Sequence, residues 1–383
     1  MAEISIRNVV VCDSKMKRLS HPDRERPDAG SGRNRRLAPS GERRGAHLDI
    51  AGAQRARRLG VTIDFLTPEG FPTFPIPTYP GLRLALPRWR RIAQRIEAAK
   101  PDAIHIATEG PIGHMVRGHC RRQGRRFTTS YTTRFPEYIS ARAPIPEAWI
   151  YAALRRFHAA AAVTMVSTQS LMTELSERGF ANLGMWTRGV DTDLFRPERA
   201  IELDFPRPIF VTMGRLAVEK NLEAFLSLDL PGTKVVIGTG PQETALKRRF
   251  PDAKFLGLLE NGALAAHLAA ADVFVFPSRT DTFGVVQLEA LASGVPVAAF
   301  PVTGPKDVVG GHPVGVLNED LRVACIEALR ISREACRAFA LSRSWESSAR
   351  QFIGHVQKAA TGACREPEGG IAMTASSAGL MST

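Results

Sequence analysis

Thr280-Asp281-Thr282-Phe283-Gly284-Val285-Val286-Gln287-Leu288-Glu289-Ala290-Leu291-Ala292-Ser293-Gly294-Val295-Pro296-Val297 is the stretch that decides how this chain is read. The apolar run Val273 to Phe276 just ahead of it reads as a buried strand, and Val295 to Phe300 as the next. Between them lie a carboxylate, a glycine, a helix-like segment with a second carboxylate eight positions on, and Gly294 as a stop. Parallel strands need a crossover, so this is a strand-loop-helix-strand unit. It brings Asp281, Glu289 and a helix N-terminus to the carboxyl edge of a parallel sheet, where ligands of open α/β sheets bind.

Working outward, the second half keeps the same alternation. Pro208 to Met213, Lys234 to Gly238 and Ala253 to Leu256 are short β-rich runs. Helix-like segments separate them at Asn221 to Leu228, Gln242 to Arg249, Ala263 to Ala270 and Val285 to Ala292. The pattern predicts an α/β fold with a parallel doubly wound sheet. In the first half, Ile4 to Val11, Val61 to Leu66, Asp102 to Ala107, Phe127 to Tyr131 and Val163 to Ser167 read as strands, with helices at Arg88 to Lys100 and Pro146 to Ala159. The prolines of Phe71 to Pro80 predict a stiff extended loop. A polar, proline-containing crossing near Arg188 to Arg207 marks a domain boundary. The chain divides into residues 1–190, 191–345, a last helix at 346–360 and a small-residue tail at 361–383 expected to be disordered.

A length of 383 residues accommodates two domains, each with its own core. No apolar run approaches the ~20 residues of a transmembrane helix, and Met1 to Arg7 lacks a signal-peptide apolar region. Five widely spaced cysteines predict reduced thiols in a cytoplasmic protein, with neither a disulfide framework nor metal-ligand spacing. Between Lys15 and Arg58 thirteen Lys/Arg oppose five acids, which supplies most of the net charge of +13. The basicity is local and carries no interleaved aromatics, so no nucleic-acid partner is expected; such binding would leave the acid-rich motif unexplained. The helix from Arg88 to Ile96 carries a basic face and Trp89, the make-up of a helix that lies on an anionic membrane or of an ordinary solvated helix.

Two further segments bear on chemistry. Gly214-Arg215-Leu216-Ala217-Val218-Glu219-Lys220-Asn221 follows the strand ending at Met213. Gly214 permits a tight turn, and Arg215 and Lys220 offer a planar fork and a mobile point charge for a diphosphate whose charge grows as a bond to it breaks. Glu289, an acceptor-only group in an apolar helix, suits the paired hydroxyls of a ribose or simply faces solvent. Asp281 sits where amides of Phe283, Gly284 and Val285 face an anion, unless it or Thr282 is a plain N-cap. Gly240, in Gly238-Thr239-Gly240-Pro241, either approaches a nucleotide or turns the chain.

Together the Gly-Arg-Leu…Glu-Lys-Asn and acid-x7-Glu segments resemble the donor domain of GT-B glycosyltransferases of family 4, especially its bacterial mannosyl- and glycolipid-forming members and the sulfolipid synthases. Asp102-Ala103-Ile104-His105, Thr108-Glu109-Gly110-Pro111, Arg134-Phe135-Pro136-Glu137-Tyr138, Arg188 to Phe195 and Pro301 to Pro305 also match, over roughly Val61 to Lys358. The resemblance implies two Rossmann-like domains facing across a cleft, and retaining, metal-independent transfer from a nucleotide diphosphate sugar with no cofactor. It implies that Arg215 and Lys220 hold the diphosphate, that Asp281 holds the transferred sugar with Thr282, Phe283, Gly284 and Val285, and that Glu289 holds the ribose. Gly214 and Gly240 join the donor site, and Thr132 and Arg134 fall on the acceptor side. The implied acceptor is a lipid or glycolipid hydroxyl at the cytoplasmic membrane face, with GDP-mannose, UDP-glucose or UDP-glucuronate as donor.

Three departures stand out. Thr132, in Tyr131-Thr132-Thr133-Arg134, occupies a position where the family often has a histidine, and threonine does not titrate near neutrality. Asp281 is one methylene shorter than the commoner glutamate. The Gly-Gly loop and helix expected after the first strand are replaced by the Arg/Pro/Gly-rich stretch from Lys15 to about Gly60. An out-of-frame stretch between compensating indels explains it, with family-like sequence resuming near Val61; translation of the other frames is the check. A chain with an intact donor half and a damaged acceptor half would be a nucleotide-sugar-binding protein with weak catalysis, which is the alternative reading.

Overall fold

Val273–Phe276 is a strand in which all four residues are buried, as a central parallel strand covered on both faces requires. The computed structural model describes residues 6–12, 56, 59–76, 79–140 and 143–362. The readings of residues 13–55 and of the tail from 363 lie outside these.

In the first half the strands are β1 (Asn8–Cys12), β2 (Thr62–Leu66), β3 (Thr73–Ile76), β4 (Tyr79–Ala85), β5 (Ala103–Ile106), β6 (Thr128–Ser130), β7 (Val163–Val166) and β8 (Leu183–Met185). A parallel sheet runs β2-β1-β5-β6-β7-β8. Its two faces are covered by distinct cores, one built on Ile104, Ile106, Ile112 and Val116, the other on Val9, Val11, Met165 and Trp186. The segment expected to be a stiff loop at Phe71 to Pro80 instead opens an antiparallel pair, β3 with β4, with Phe74 opposite Leu84. Proline is tolerated there because a two-stranded ribbon is all edge, and the register shifts beside Pro75.

The second half holds β9 (Ile209–Met213), β10 (Thr233–Ile237), β11 (Lys254–Gly257), β12 (Val273–Phe276), β13 (Val297–Ala299) and β14 (Gly315–Leu317). They pair in parallel in the order β11-β10-β9-β12-β13-β14. Counted from β9 this is the order 3-2-1-4-5-6 of doubly wound sheets, whose direction of winding reverses between β9 and β12. The loops that leave those two strands at their carboxyl ends carry Gly214 to Asn221 and Pro277 to Gly284. The fold is α/β with two Rossmann-like domains, and the reversal point predicts where the second one takes a ligand.

Contacts near the chain crossings tie the halves together. The helix Trp345–Thr361 lays Phe352, Ile353 and Val356 into the core of the first domain, beside Val9 and Trp186. Val190 bridges Ser344, and Gly189 sits so close that a Cβ there would lie 2.5 Å from the Trp345 amide nitrogen. The neighbouring Arg188 is buried and stacks over Trp186 at 4.1 Å, and burial pushes its pKa down to about 9.

The basic helix forms as Trp89–Ala99. Its aromatic residue is engaged within the domain: Arg122 lies over the Trp89 ring at 4.2 Å and His119 packs beside it at 5.5 Å. Arg91 and Arg95 stand over Phe71 at 5.6 and 5.9 Å. These contacts explain Trp89 and two of the arginines by internal packing. Among the described residues, no helix is long and apolar enough to cross a membrane.

Candidate active site

The β9 loop is shaped by three glycines. Gly214 has φ +147°, a conformation L side chains rarely adopt, and a Cβ there would point into open space. Across from it, a Cβ on Gly238 would lie 1.9 Å from the Gly214 carbonyl oxygen, and one on Gly240 would lie 2.3 Å from that of Leu216. The Leu216 amide donates to the Thr239 carbonyl at 3.0 Å, and the Gln242 amide to that of Leu216 at 3.0 Å. Gly238 and Gly240 therefore let the β10 loop lie flat against the β9 loop and hold Arg215 in place. Gly240→Ala is expected to push the loops apart at a cost of roughly 1–3 kcal/mol. Nucleotide titration and urea melts of the variant should both show the loss.

Beyond the turn, Lys220 reaches the β12 loop. Its Nζ lies 2.6 Å from Asp281 Oδ2, joining residues 61 positions apart. The other oxygen, Oδ1, accepts the Thr282 amide at 2.9 Å. Both side chains are partly exposed, at 29% and 17%, so the pair lines a surface and is not sealed in the core. Asn221 adopts φ +50° and donates from Nδ2 to the Pro277 carbonyl at 3.1 Å, tying the same two loops together.

The helix Val285–Ala292 has Gly284 at its N-cap with φ +76°, and no side chain caps it. That removes the reading of Asp281 or Thr282 as a plain N-cap. Gly284 is required there, since a Cβ would also meet Gln287 Nε2 at 2.6 Å and Phe276 Cζ at 2.9 Å. The first amides of such a helix have no intrahelical acceptor, and they open at the end of β12. Glu289 lies on this helix, half-buried beside the buried Leu288 and Ala290.

On the facing domain, Thr132 is placed at the same opening: its carbonyl accepts the Thr282 hydroxyl at 3.1 Å. The structure thus brings together Lys220, Asp281, Thr282 and Thr132, with Arg215 in the adjoining loop. Arg134 is positioned differently. Its guanidinium is buried and gives Nη1 to Glu137 at 2.7 Å and Nη2 to Glu174 at 2.7 Å. Arg134 is therefore engaged with two carboxylates of its own domain.

Sequence reasoning passed over several residues at this opening. Tyr138 donates its hydroxyl to the Thr280 carbonyl at 3.0 Å, and Ser167 donates to the Thr282 carbonyl at 3.1 Å. Asp307 accepts the Ser170 amide at 2.9 Å. Nothing in composition or periodicity signals a hydroxyl that bonds a backbone carbonyl over a hundred residues away, although Tyr138 lies inside a quoted motif. Deeper in the same domain, His158 is fully buried and shares Nε2 with Glu109 at 3.1 Å and Nδ1 with the Thr129 hydroxyl at 2.9 Å. His105 is likewise buried, 2.9 Å from the Thr128 hydroxyl, and its pKa is lowered to about 3 by burial, with Arg188 and His355 adding to it.

Known proteins bear directly on this arrangement. The family model of glycosyl transferases group 1 matches residues 207–330, and that of glycosyltransferase family 4 matches residues 34–194. A GDP-mannose-dependent alpha-mannosyltransferase of Mycobacterium tuberculosis is 30% identical over 80% of this chain and 85% of its own. The chain belongs to glycosyltransferase family 4. The sulfoquinovosyl transferase SQD2 of Arabidopsis thaliana is 32% identical over 63% of this glycosyltransferase and 50% of its own length. Among solved structures, sucrose-phosphate synthase from Thermosynechococcus elongatus superposes with a TM-score of 0.68 at 17% identity, covering 93% of this chain and all of that one. Anabaena HepE in complex with UDP and glucose gives 0.61 at 15% identity, covering 91% and 98%. These likenesses establish the GT-B fold.

The family match begins at residue 34, inside the arginine-rich stretch from Lys15 to about Gly60. The glycosyltransferase uses a nucleotide sugar as donor.

Proposed function

We propose that this glycosyltransferase moves a hexosyl group, mannose first among the candidates, from a nucleoside diphosphate to a hydroxyl of a lipid or glycolipid acceptor, with retention and without a bound metal. The observation that carries this reading is the Lys220–Asp281 pair at 2.6 Å, set at the reversal point of the donor-side sheet. An incoming diphosphate competes for Lys220, and Arg215 supplies a second cation from the same loop. Once Lys220 turns to the phosphates, Asp281 is free to accept hydroxyl hydrogen bonds from the sugar. Charge that develops on the departing diphosphate then meets two prepositioned cations, which is the term that lowers the barrier. Glu289 accepts the ribose hydroxyls, and Thr132 contributes a non-titrating wall at the acceptor side, which leaves proton removal from the acceptor to the leaving phosphate.

GDP-mannose leads because mycobacterial relatives are named for it; UDP-glucose and UDP-glucuronate follow. The test is a screen of these three radiolabelled donors against membrane-lipid extracts. Labelled lipid with GDP-mannose is expected. Transfer from a UDP-sugar alone would move the donor assignment, and nucleotide binding by calorimetry with no product from any donor would leave only a nucleotide-sugar-binding protein.

A further inference from the structure

The acid-bearing loop of the donor domain is held from the opposite domain. Three hydrogen bonds across the cleft involve Thr280 and Thr282, the residues on either side of Asp281. The Tyr138 hydroxyl donates to the Thr280 carbonyl at 3.0 Å, the Ser167 hydroxyl to the Thr282 carbonyl at 3.1 Å, and the Thr282 hydroxyl to the Thr132 carbonyl at 3.1 Å. Thr282 and Ser167 are 6% and 2% exposed, so water competes poorly for these bonds.

We propose that Tyr138, Ser167 and Thr282 form an interdomain hydroxyl latch that sets the position of Asp281, so that the acceptor-side domain controls how the donor sugar is gripped. The geometry is specific to that role. Asp281 sits between the two latched carbonyls, and its own side chain is left to Lys220. A second contact lies alongside: Asp307 accepts the Ser170 amide with Oδ1 and the Gly304 amide with Oδ2 at 3.3 Å. The space for a Cβ on Gly304 is limited by the Phe283 carbonyl at 3.2 Å and the Asp281 carbonyl at 3.6 Å, so the Ser170–Asp307 contact steadies the loop from its other side. On the acceptor side, the helix Phe135–Ser140 that carries Tyr138 is fixed by Arg134, Glu137 and Glu174. When the domains part, the three latch bonds and the Ser170–Asp307 bond are lost together, and Asp281 loses its reference to the acceptor side.

The latch is a positioning device, and the assignment rests on the proposed donor site. Two of its three bonds, those of Tyr138 and Ser167, run from hydroxyls of the acceptor-side domain to donor-domain carbonyls, so removing these two hydroxyls leaves the side chains of the nucleotide-holding loops untouched. The test is Tyr138→Phe, Ser167→Ala and the double variant in the full-length protein. Each hydroxyl is expected to contribute about five-fold to the closed arrangement, and the pair about twenty- to thirty-fold. The double variant should therefore lose about that factor in kcat, while its Kd for the nucleoside diphosphate stays within two-fold of wild type. Small-angle scattering of the unliganded protein should show the double variant more extended than wild type.

Unchanged scattering and unchanged kcat would overturn the latch even if nucleotide binding is normal. A fall in kcat accompanied by an equal loss of nucleotide affinity and of melting temperature would overturn it too, because that is what mere misfolding produces. A wild-type protein that binds no nucleoside diphosphate, yet opens in the double variant, would sink the donor-site reading and leave the latch as a conformational device.

Discussion

Lys220→Ala is expected to lower turnover by ~10²-fold or more, with a parallel loss for Arg215→Ala. Both residues lie in the loop leaving β9, at the point where the donor-side sheet reverses its winding. The charge they meet is greatest after the glycosidic bond has begun to break, so their removal should depress kcat more than it raises the KM for donor. Lys220→Ala carries a second signature, because it strands Asp281: the carboxylate loses its 2.6 Å partner and keeps the Thr282 amide. Lys220→Arg keeps the charge but replaces a point cation with a planar fork, so it should recover part of the rate and not all of it. Steady-state kinetics with saturating acceptor measures each case. If Arg215→Ala and Lys220→Ala both turn over at the wild-type rate, the proposed chemistry is wrong.

Arg134→Met carries the largest expected effect on stability. Arg134 is only 9% exposed, and its nitrogens bond Glu137 and Glu174, at 18% and 23%. Burial alone would lower its pKa, but the hydrogen bonds and charges of Glu174 and Glu137 outweigh that and raise it. Burial alone would raise the carboxyl pKa of Glu174, and Arg134, with Arg178 and the Tyr151 hydroxyl, holds it below the usual carboxylate range. Methionine fills much of the volume while leaving two half-buried carboxylates with their main cation gone, a loss of about 3 kcal/mol. Urea melts at neutral pH measure it. The sign with pH follows from Glu174. Its folded pKa is depressed, so the stabilisation is fully present above the ordinary carboxyl pKa and disappears as pH falls through the lowered value. The gap between wild type and Arg134→Met should therefore narrow in acid. A gap that is constant from neutral pH to well below the carboxylate range would show that the ion pairs are not its source.

The donor half was legible because its signals are local. In β12 the apolar run and the strand coincide at Val273–Phe276, and the helix Val285–Ala292 begins and ends where periodicity and Gly294 place it. A parallel strand covered on both faces has to be apolar throughout, so neighbouring residues report its burial. Phe71 to Pro80 shows the opposite case. Proline chemistry predicts an extended backbone correctly and says nothing of whether a partner strand lies alongside, which β4 does. Short elements such as the strands at Leu183–Met185 and Gly315–Leu317 escaped because three residues are too few to show a period. Arg134 pairs with Glu137 and Glu174, which its motif could not tell: a cation looks the same in sequence whether it meets a substrate or two carboxylates from its own domain.

By itself the sequence determined the alternation of strands and helices, the family, and the residue types in the loops that leave β9 and β12, since each is written in a few consecutive positions. Only the tertiary structure decided which charges meet. Lys220 and Asp281 are 61 residues apart, and the hydroxyls of Tyr138 and Ser167 bond carbonyls 142 and 115 residues away. A hydrogen bond depends on a few tenths of an ångström between atoms whose separation in the chain carries no information about their separation in space. The order of strands in two sheets, and the angle at which their domains close, fix that distance.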